Sequence, residues 1–247
     1  VTVKSADRVF DILELLLHQP EGLSAHDMSK QLGIANSSMH ALIQTMEERR
    51  YIRLLSSRRW VIGTKFVEFT QVLTNQSLQS SAKPMMDKLA GLFNENVHLA
   101  VLDGLHVVYV AVHETKHPLR YHVQVGEMQP AHITGVGKVL LSQFTEERIR
   151  EMYKDFVFDR ITDTTIVTME ALVQESKLVR QQGYAVDNGE SYEGARCYAA
   201  PIYNAIGQMV ASISVSIPFF RLEQDQVARI IRSVIDAGIA IGNHIHR

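Results

Sequence analysis

The sequence predicts an α+β protein in two parts: a small helical unit closed by a hairpin, then a larger unit built on an antiparallel sheet. Three observations predict it. At 247 residues the chain exceeds one small domain. Its first sixty-three residues carry three short helical patterns followed by a basic hairpin. Beyond them, strand patterns occur in series with helices before, between and after, unlike the strict alternation that builds a parallel sheet.

In the small unit, Ser5 is placed to cap a helix whose apolar residues Val9, Phe10, Ile12, Leu13, Leu16 and Leu17 recur at helical spacing. The Gln19-Pro20-Glu21-Gly22 stretch ends it. Ser24 and Asp27 make a capping-box-like start for a second helix, which Gly33 stops in a left-handed C-cap. After a tight turn, Asn36 or Ser37 is expected to cap a third helix with Met39, Leu42, Ile43 and Met46 as its buried stripe. Its other face carries Ser37, Ser38, His40, Ala41 and Gln44. Then Tyr51-Ile52-Arg53-Leu54 and Trp60-Val61-Ile62-Gly63 flank the polar Ser56-Ser57-Arg58-Arg59, a hairpin with a basic tip. This order matches a winged helix-turn-helix over residues 1–63, with small and amide side chains offered to the major groove and Arg58 and Arg59 to the phosphate backbone. An ordinary three-helix core explains the helices alone, but not the basic hairpin after them.

Net charge is −2, so any nucleic-acid affinity has to come from local charge. Five arginines fall between Arg49 and Arg59 with no acid among them. The single cysteine, Cys197, makes no internal disulfide and suits a reducing compartment. No apolar run approaches the roughly 18 residues of a membrane span, and Val1–Asp7 lacks a secretory layout. A cytoplasmic protein with no membrane partner is expected.

Residues 64–80 are expected to form a connecting helix and linker, from the pattern Phe66, Val67, Phe69, Val72 and Leu73 followed by a polar run. Residues 81–247 form the larger unit. Pro84 is expected in the first turn of a helix carrying Met85, Met86, Leu89, Leu92 and Phe93. Val97–Leu102 and Val107–Val112 flank the hairpin turn Asp103-Gly104. A further strand is expected near 119–125, then a loop-to-helix junction at Thr134-Gly135-Val136-Gly137-Lys138. Two glycines there let a ligand approach the backbone, whose open N–H groups favour a carboxylate. The spacing is not that of a Walker phosphate loop. A helix follows from Thr168 to Gln182, then strands Ala195–Tyr203 and Gln208–Ile217, and a closing helix with Val227, Ile230, Ile231, Val234, Ile235, Ile241 and Ile245.

Ser5-Ala6-Asp7-Arg8, Leu32-Gly33-Ile34-Ala35-Asn36-Ser37-Ser38-Met39-His40 and Trp60-Val61-Ile62-Gly63 together resemble the isocitrate lyase regulator (IclR) family. The likeness continues through Thr134–Lys138, Thr162 with Thr165, Gly183-Tyr184-Ala185-Val186-Asp187, Glu190, Gly194, Arg196-Cys197, Ala199–Ile202 and Ala211–Ser216. The resemblance implies a transcriptional regulator, more often a repressor, that binds double-stranded operator DNA as a homodimer or homotetramer. It also implies a GAF-like C-terminal domain binding a small effector. Carried over by position, Gly135 and Val136 would form the backbone wall of that pocket, Asp187 would reach polar groups of the ligand, and Ala195 with Cys197 would line its strand side. Ser214 and Ser216 share one face of the last strand, and Gln129 is a further candidate liner. Family members commonly carry arginine, threonine and glycine where this chain has Ala41, Ser38 and Arg50, so the operator it reads is expected to differ.

The helix amides favour one anionic group, and Asp187 would repel a second while accepting hydroxyls. The expected effector is therefore a hydroxylated monocarboxylate, a sugar acid or hydroxy acid, and no cofactor is expected. Cys197 and the eleven histidines invite an enzymatic reading, but no Gly-x-Ser-x-Gly elbow or other nucleophile signature accompanies them. His98, His106, His113, His117, His122 and His132 crowd one region without metal-ligand spacing. An enzyme using the sensor fold, and a constitutive DNA-binding protein with no effector, are the alternatives.

Overall fold

The computed structural model describes residues 3–67, 69, 76–118 and 122–245. The chain divides into two compact units, 1–75 and 76–247.

The first unit holds α1 (Lys4–Leu17), α2 (Ala25–Leu32), α3 (Asn36–Glu48) and the hairpin strands β1 (Ile52–Leu54) and β2 (Trp60–Ile62). Ile12, Leu16, Met28, Ile34, Met39, Ile43, Met46 and Ile52 form its core. Phe10 and Leu17, expected on the buried face of α1, are 60% and 68% exposed. Six apolar residues within nine positions span more than one side of a helix, and the core takes the stripe centred on Ile12 and Leu16. The expected cap at Ser5 is also corrected, because α1 starts two residues earlier, at Lys4, with Val3 as a cap lacking a side-chain bond. Likewise α3 begins at Asn36 after Ala35, whose carbonyl already accepts from the Met39 amide, so neither Asn36 nor Ser37 is the cap. The α2 expectation holds: Ser24 accepts from the Asp27 amide, and Gly33 sits at φ 62°, where a side chain would be strained. The wing is fastened to the helices by a two-way bridge, Leu23 N–H to the Trp60 carbonyl at 3.1 Å and Trp60 N–H to the Leu23 carbonyl at 2.8 Å.

The second unit is an antiparallel sheet of six strands in the order β5-β4-β3-β8-β7-β6. These are β3 (Asn96–Asp103), β4 (His106–His113), β5 (Met128–Pro130), β6 (Ala185–Asp187), β7 (Ala195–Tyr203) and β8 (Met209–Pro218). Two hairpins, β3–β4 and β7–β8, meet along β3 and β8 at the centre. Period-two alternation splits the side chains between the two faces. Val97, Leu99, Tyr198, Ala200, Ile213, Val215 and Ile217 pack on α4 (Gln76–Phe93) and on the last helix, Val227–Gly242. The opposite face, with Ala100, Val107, Tyr109 and Ala199, receives α5 (Gly135–Leu141) and the 14-residue helix α7 (Met169–Gln182), with α6 (Glu146–Met152) between them in sequence. The Val227–Gly242 helix is α8.

Two expectations for this unit change. Pro84 lies inside α4 and not in its first turn, because the helix begins at Gln76; burial of Leu78, Ala82, Met86 and Leu89 against the sheet offsets the lost amide donor. Residues 122–125 are not a strand, and the next strand is β5; residues 119–121 of that expected strand lie outside the described residues. So does the part of the expected connecting helix that falls on residues 68 and 70–75.

Candidate functional site

Within the first unit, Ser37, His40, Ala41 and Gln44 are exposed and Ser38 half-buried along α3, opposite the buried Met39, Ile43 and Met46. The Gln44 amide donates to Glu48 one turn on, at 3.1 Å. Arg58 and Arg59 are both exposed at the hairpin tip. They differ in kind. Arg58 sits at φ 58°, a left-handed backbone that costs a non-glycine residue energy. Arg59 donates to the Gly22 carbonyl at 3.1 Å, tying the wing to the loop before α2. The chemistry available is that of a polar helix face beside a cationic tip.

In the second unit the sheet, α5 and the loop 188–194 enclose a cavity of about 20 Å³. Its walls are His98, Tyr109, Thr134, Gly135, Asp187, Ser191, Tyr192, Ala195, Cys197 and Ser216. Of the eight residues expected to hold an effector, the structure gathers Gly135, Asp187, Ala195, Cys197 and Ser216 around this space. Val136 points instead into the hydrophobic core. Ser214 lies beside the cavity on β8, paired in register with Ala199 and His98. Gln129 reaches it only through Tyr109, whose hydroxyl donates to the Gln129 side-chain carbonyl at 3.2 Å.

The polar groups of the cavity are organised by burial. Asp187 accepts from the Glu190 amide at 2.7 Å and from the Ser191 hydroxyl at 2.5 Å. Burial raises the pKa of its carboxyl, and those two donors offset that rise only in part. Behind it the Lys138 ammonium, 1% exposed, is held by Glu190 at 2.6 and 2.9 Å, by Glu175 at 2.9 Å and by the Val186 carbonyl at 2.5 Å. Burial works against that charge, but the two carboxylates outweigh it and hold the Lys138 pKa above its ordinary value. Burial also pushes the Glu190 carboxyl up to about 7. The Thr165 hydroxyl donates to the Glu190 carbonyl at 2.9 Å. Glu190 is therefore pinned by side chain, amide and carbonyl at once, and it anchors the loop that carries Ser191 and Tyr192.

Sequence reasoning missed His98, Tyr109, Thr134, Ser191 and Tyr192 as neighbours in this space. A faint signal existed for one of them: His98 interrupts the apolar run Val97-His98-Leu99-Ala100 in the phase opposite to Val97 and Leu99. Its ring is 1% exposed, with Nδ1 3.3 Å from the Ser216 hydroxyl, and burial lowers its pKa to about 4. Burial likewise pushes the half-buried Cys197 thiol up to about 11, so it stays protonated at neutral pH. Among the described residues no three His, Cys, Asp or Glu side chains converge as metal ligands, and no helix is long and apolar enough to cross a membrane.

Residues 5–56 match the IclR helix-turn-helix domain, and residues 70–243 match the bacterial transcriptional regulator IclR C-terminal domain. The chain is 33% identical over 226 residues to the HTH-type transcriptional regulator KdgR of Dickeya chrysanthemi, covering 91% of this chain and 74% of that one. It is 27% identical over 248 residues to the transcriptional repressor IclR of Escherichia coli (strain K12), covering 97% and 90%. Its fold superposes on the crystal structure of an IclR homolog from Microbacterium hydrocarbonoxydans complexed with 4-hydroxybenzoate, with a TM-score of 0.82, 20% identity and coverage of 97% and 98%.

Proposed function

Since this chain belongs to the IclR family of bacterial transcriptional regulators, we propose that it is a cytoplasmic repressor whose hold on operator DNA is set by a small carboxylate. The carboxylate occupies the cavity between α5, the central strands and the loop 188–194. The observation that carries this reading is that cavity: buried, lined by hydroxyls, an imidazole and a carboxylate, and bordered by the glycine-flanked start of α5. In this reading the effector carboxylate faces the Gly135 backbone, while Asp187, Ser191 and Ser216 meet its hydroxyls, which favours a sugar acid or hydroxy acid. A relative in fold holds 4-hydroxybenzoate, also a hydroxylated monocarboxylate.

On the DNA side, Ser37, Ser38, His40, Ala41 and Gln44 face the base edges and Arg58 and Arg59 the phosphates. Ala41 makes no bidentate guanine contact, so specificity rests on its neighbours. A homodimer or homotetramer supplies two such helices for two half-sites. No chemical step is assigned to Cys197, since a thiol held near pKa 11 is a poor nucleophile at neutral pH.

The test is a thermal-shift panel of D-gluconate, glycolate and 4-hydroxybenzoate, repeated in a gel-shift assay with the operator. At least one acid is expected to raise the melting temperature and release the DNA. If none shifts the melting temperature, the effector reading fails and a constitutive DNA-binding protein takes its place.

A further inference from the structure

We propose that the cavity takes up its carboxylate together with one proton, and that His98 is the residue that carries the proton. The inference rests on the effector reading above and adds the ionic partner that the reading lacks. Among the described residues no lysine or arginine lines the cavity. Lys138 approaches from behind Asp187, but its ammonium is already bonded to Glu190, Glu175 and a backbone carbonyl. The titratable groups sharing the space with His98 are Asp187, Tyr109, Tyr192 and Cys197, none of which supplies a positive charge.

An anion brought next to Asp187 in a desolvated space is therefore opposed unless a cation forms there. His98 is the basic group on the wall. It stands on β3 opposite Ser214 in register, in edge-to-face contact with the Tyr109 ring at 5.5 Å. Without the ligand, burial keeps the imidazole neutral. A carboxylate beside it replaces lost hydration with an ion pair, so a proton from solvent binds the ring and the effector stays ionised. The ring's neighbours fit either state: Ser216 at Nδ1 accepts or donates as needed. The consequence is an affinity that rises as pH falls, by up to about tenfold per pH unit for one linked proton.

The experiment is isothermal titration calorimetry of the full chain with whichever of D-gluconate, glycolate or 4-hydroxybenzoate binds, at pH 7.5 in Tris, HEPES and MOPS. Plotting heat against buffer ionisation heat is expected to show about one proton taken up. In His98→Gln the uptake is expected to fall to near zero and the affinity to lose its pH dependence. Should that variant fold poorly, histidine 15N NMR of the parent reads the same event, as the His98 ring nitrogens move from the neutral to the imidazolium pattern on saturation. Binding with no proton uptake overturns this inference alone. Uptake that persists in His98→Gln also overturns it and assigns the proton to the Asp187 and Glu190 carboxyls. If none of the three acids binds, the effector reading falls and this inference with it.

Discussion

Lys138 shows how one residue links core and cavity. A lone buried ammonium would be costly, and here three oxygens of two glutamates and one backbone carbonyl surround it. Truncating one member of such a cluster strands the others. Lys138→Met is therefore expected to destabilise the sensor unit by about 3–5 kcal/mol, because Glu190 and Glu175 lose their counter-charge in a buried setting. Chemical denaturation checks it, and a loss under 1 kcal/mol would mean the cluster is better solvated than its burial indicates. The sequence placed Lys138 at the end of a ligand-binding loop; its partners Glu175 and Glu190 lie 37 and 52 positions away, a separation no local pattern bridges.

At the scale of elements, the wing separates two arginines that look alike in sequence. Arg58 holds a left-handed backbone conformation, whereas Arg59 is bonded to the Gly22 carbonyl. Arg58→Gly is expected to leave the melting temperature unchanged or raise it, since relief of the left-handed strain is worth up to about 1 kcal/mol. DNA affinity is expected to drop, with a salt slope shallower by about one unit, as for any lost phosphate contact. An unchanged slope would remove the wing tip from the DNA interface. Helices and hairpins of this kind were legible because their signals are local: Ser24 with Asp27, Gly33 and the Asp103-Gly104 turn. The caps of α1 and α3 were not, because Val3 and Ala35 occupy them without a side-chain bond and leave no compositional mark.

For the whole molecule, the two-part division and the antiparallel sheet were readable from the series of patterns, but the walls of the cavity were not. They come from five strands, the start of α5 and a loop, whose neighbours are set by long-range pairing, so His98 met Ser216 only once β3 lay beside β8. Long-range burial also sets the acid limit of stability. His132, packed against the rings of Tyr153, Phe156 and Phe158, and His98 in the cavity wall both have pKa values lowered to about 4, chiefly by burial. A histidine whose folded pKa lies below its unfolded 6.5 contributes stability that is fully present above 6.5 and is lost as pH falls towards 4. The melting temperature is expected to fall across that window, and His132→Phe, which suits an aromatic box, is expected to flatten the fall. Parallel curves for parent and variant would exclude His132 as a contributor.

On the effector reading, the small volume of the cavity also bears on how tightly a ligand is held. About 20 Å³ accommodates roughly one water molecule, so on that reading a ligand of several carbons binds only molecules whose cavity walls have widened. Affinity is then discounted by the fraction of molecules already open, and entry follows the rhythm of that opening more than the rate of collision. A variant that holds the cavity wider is therefore expected to bind the acid more tightly with no new contact to it.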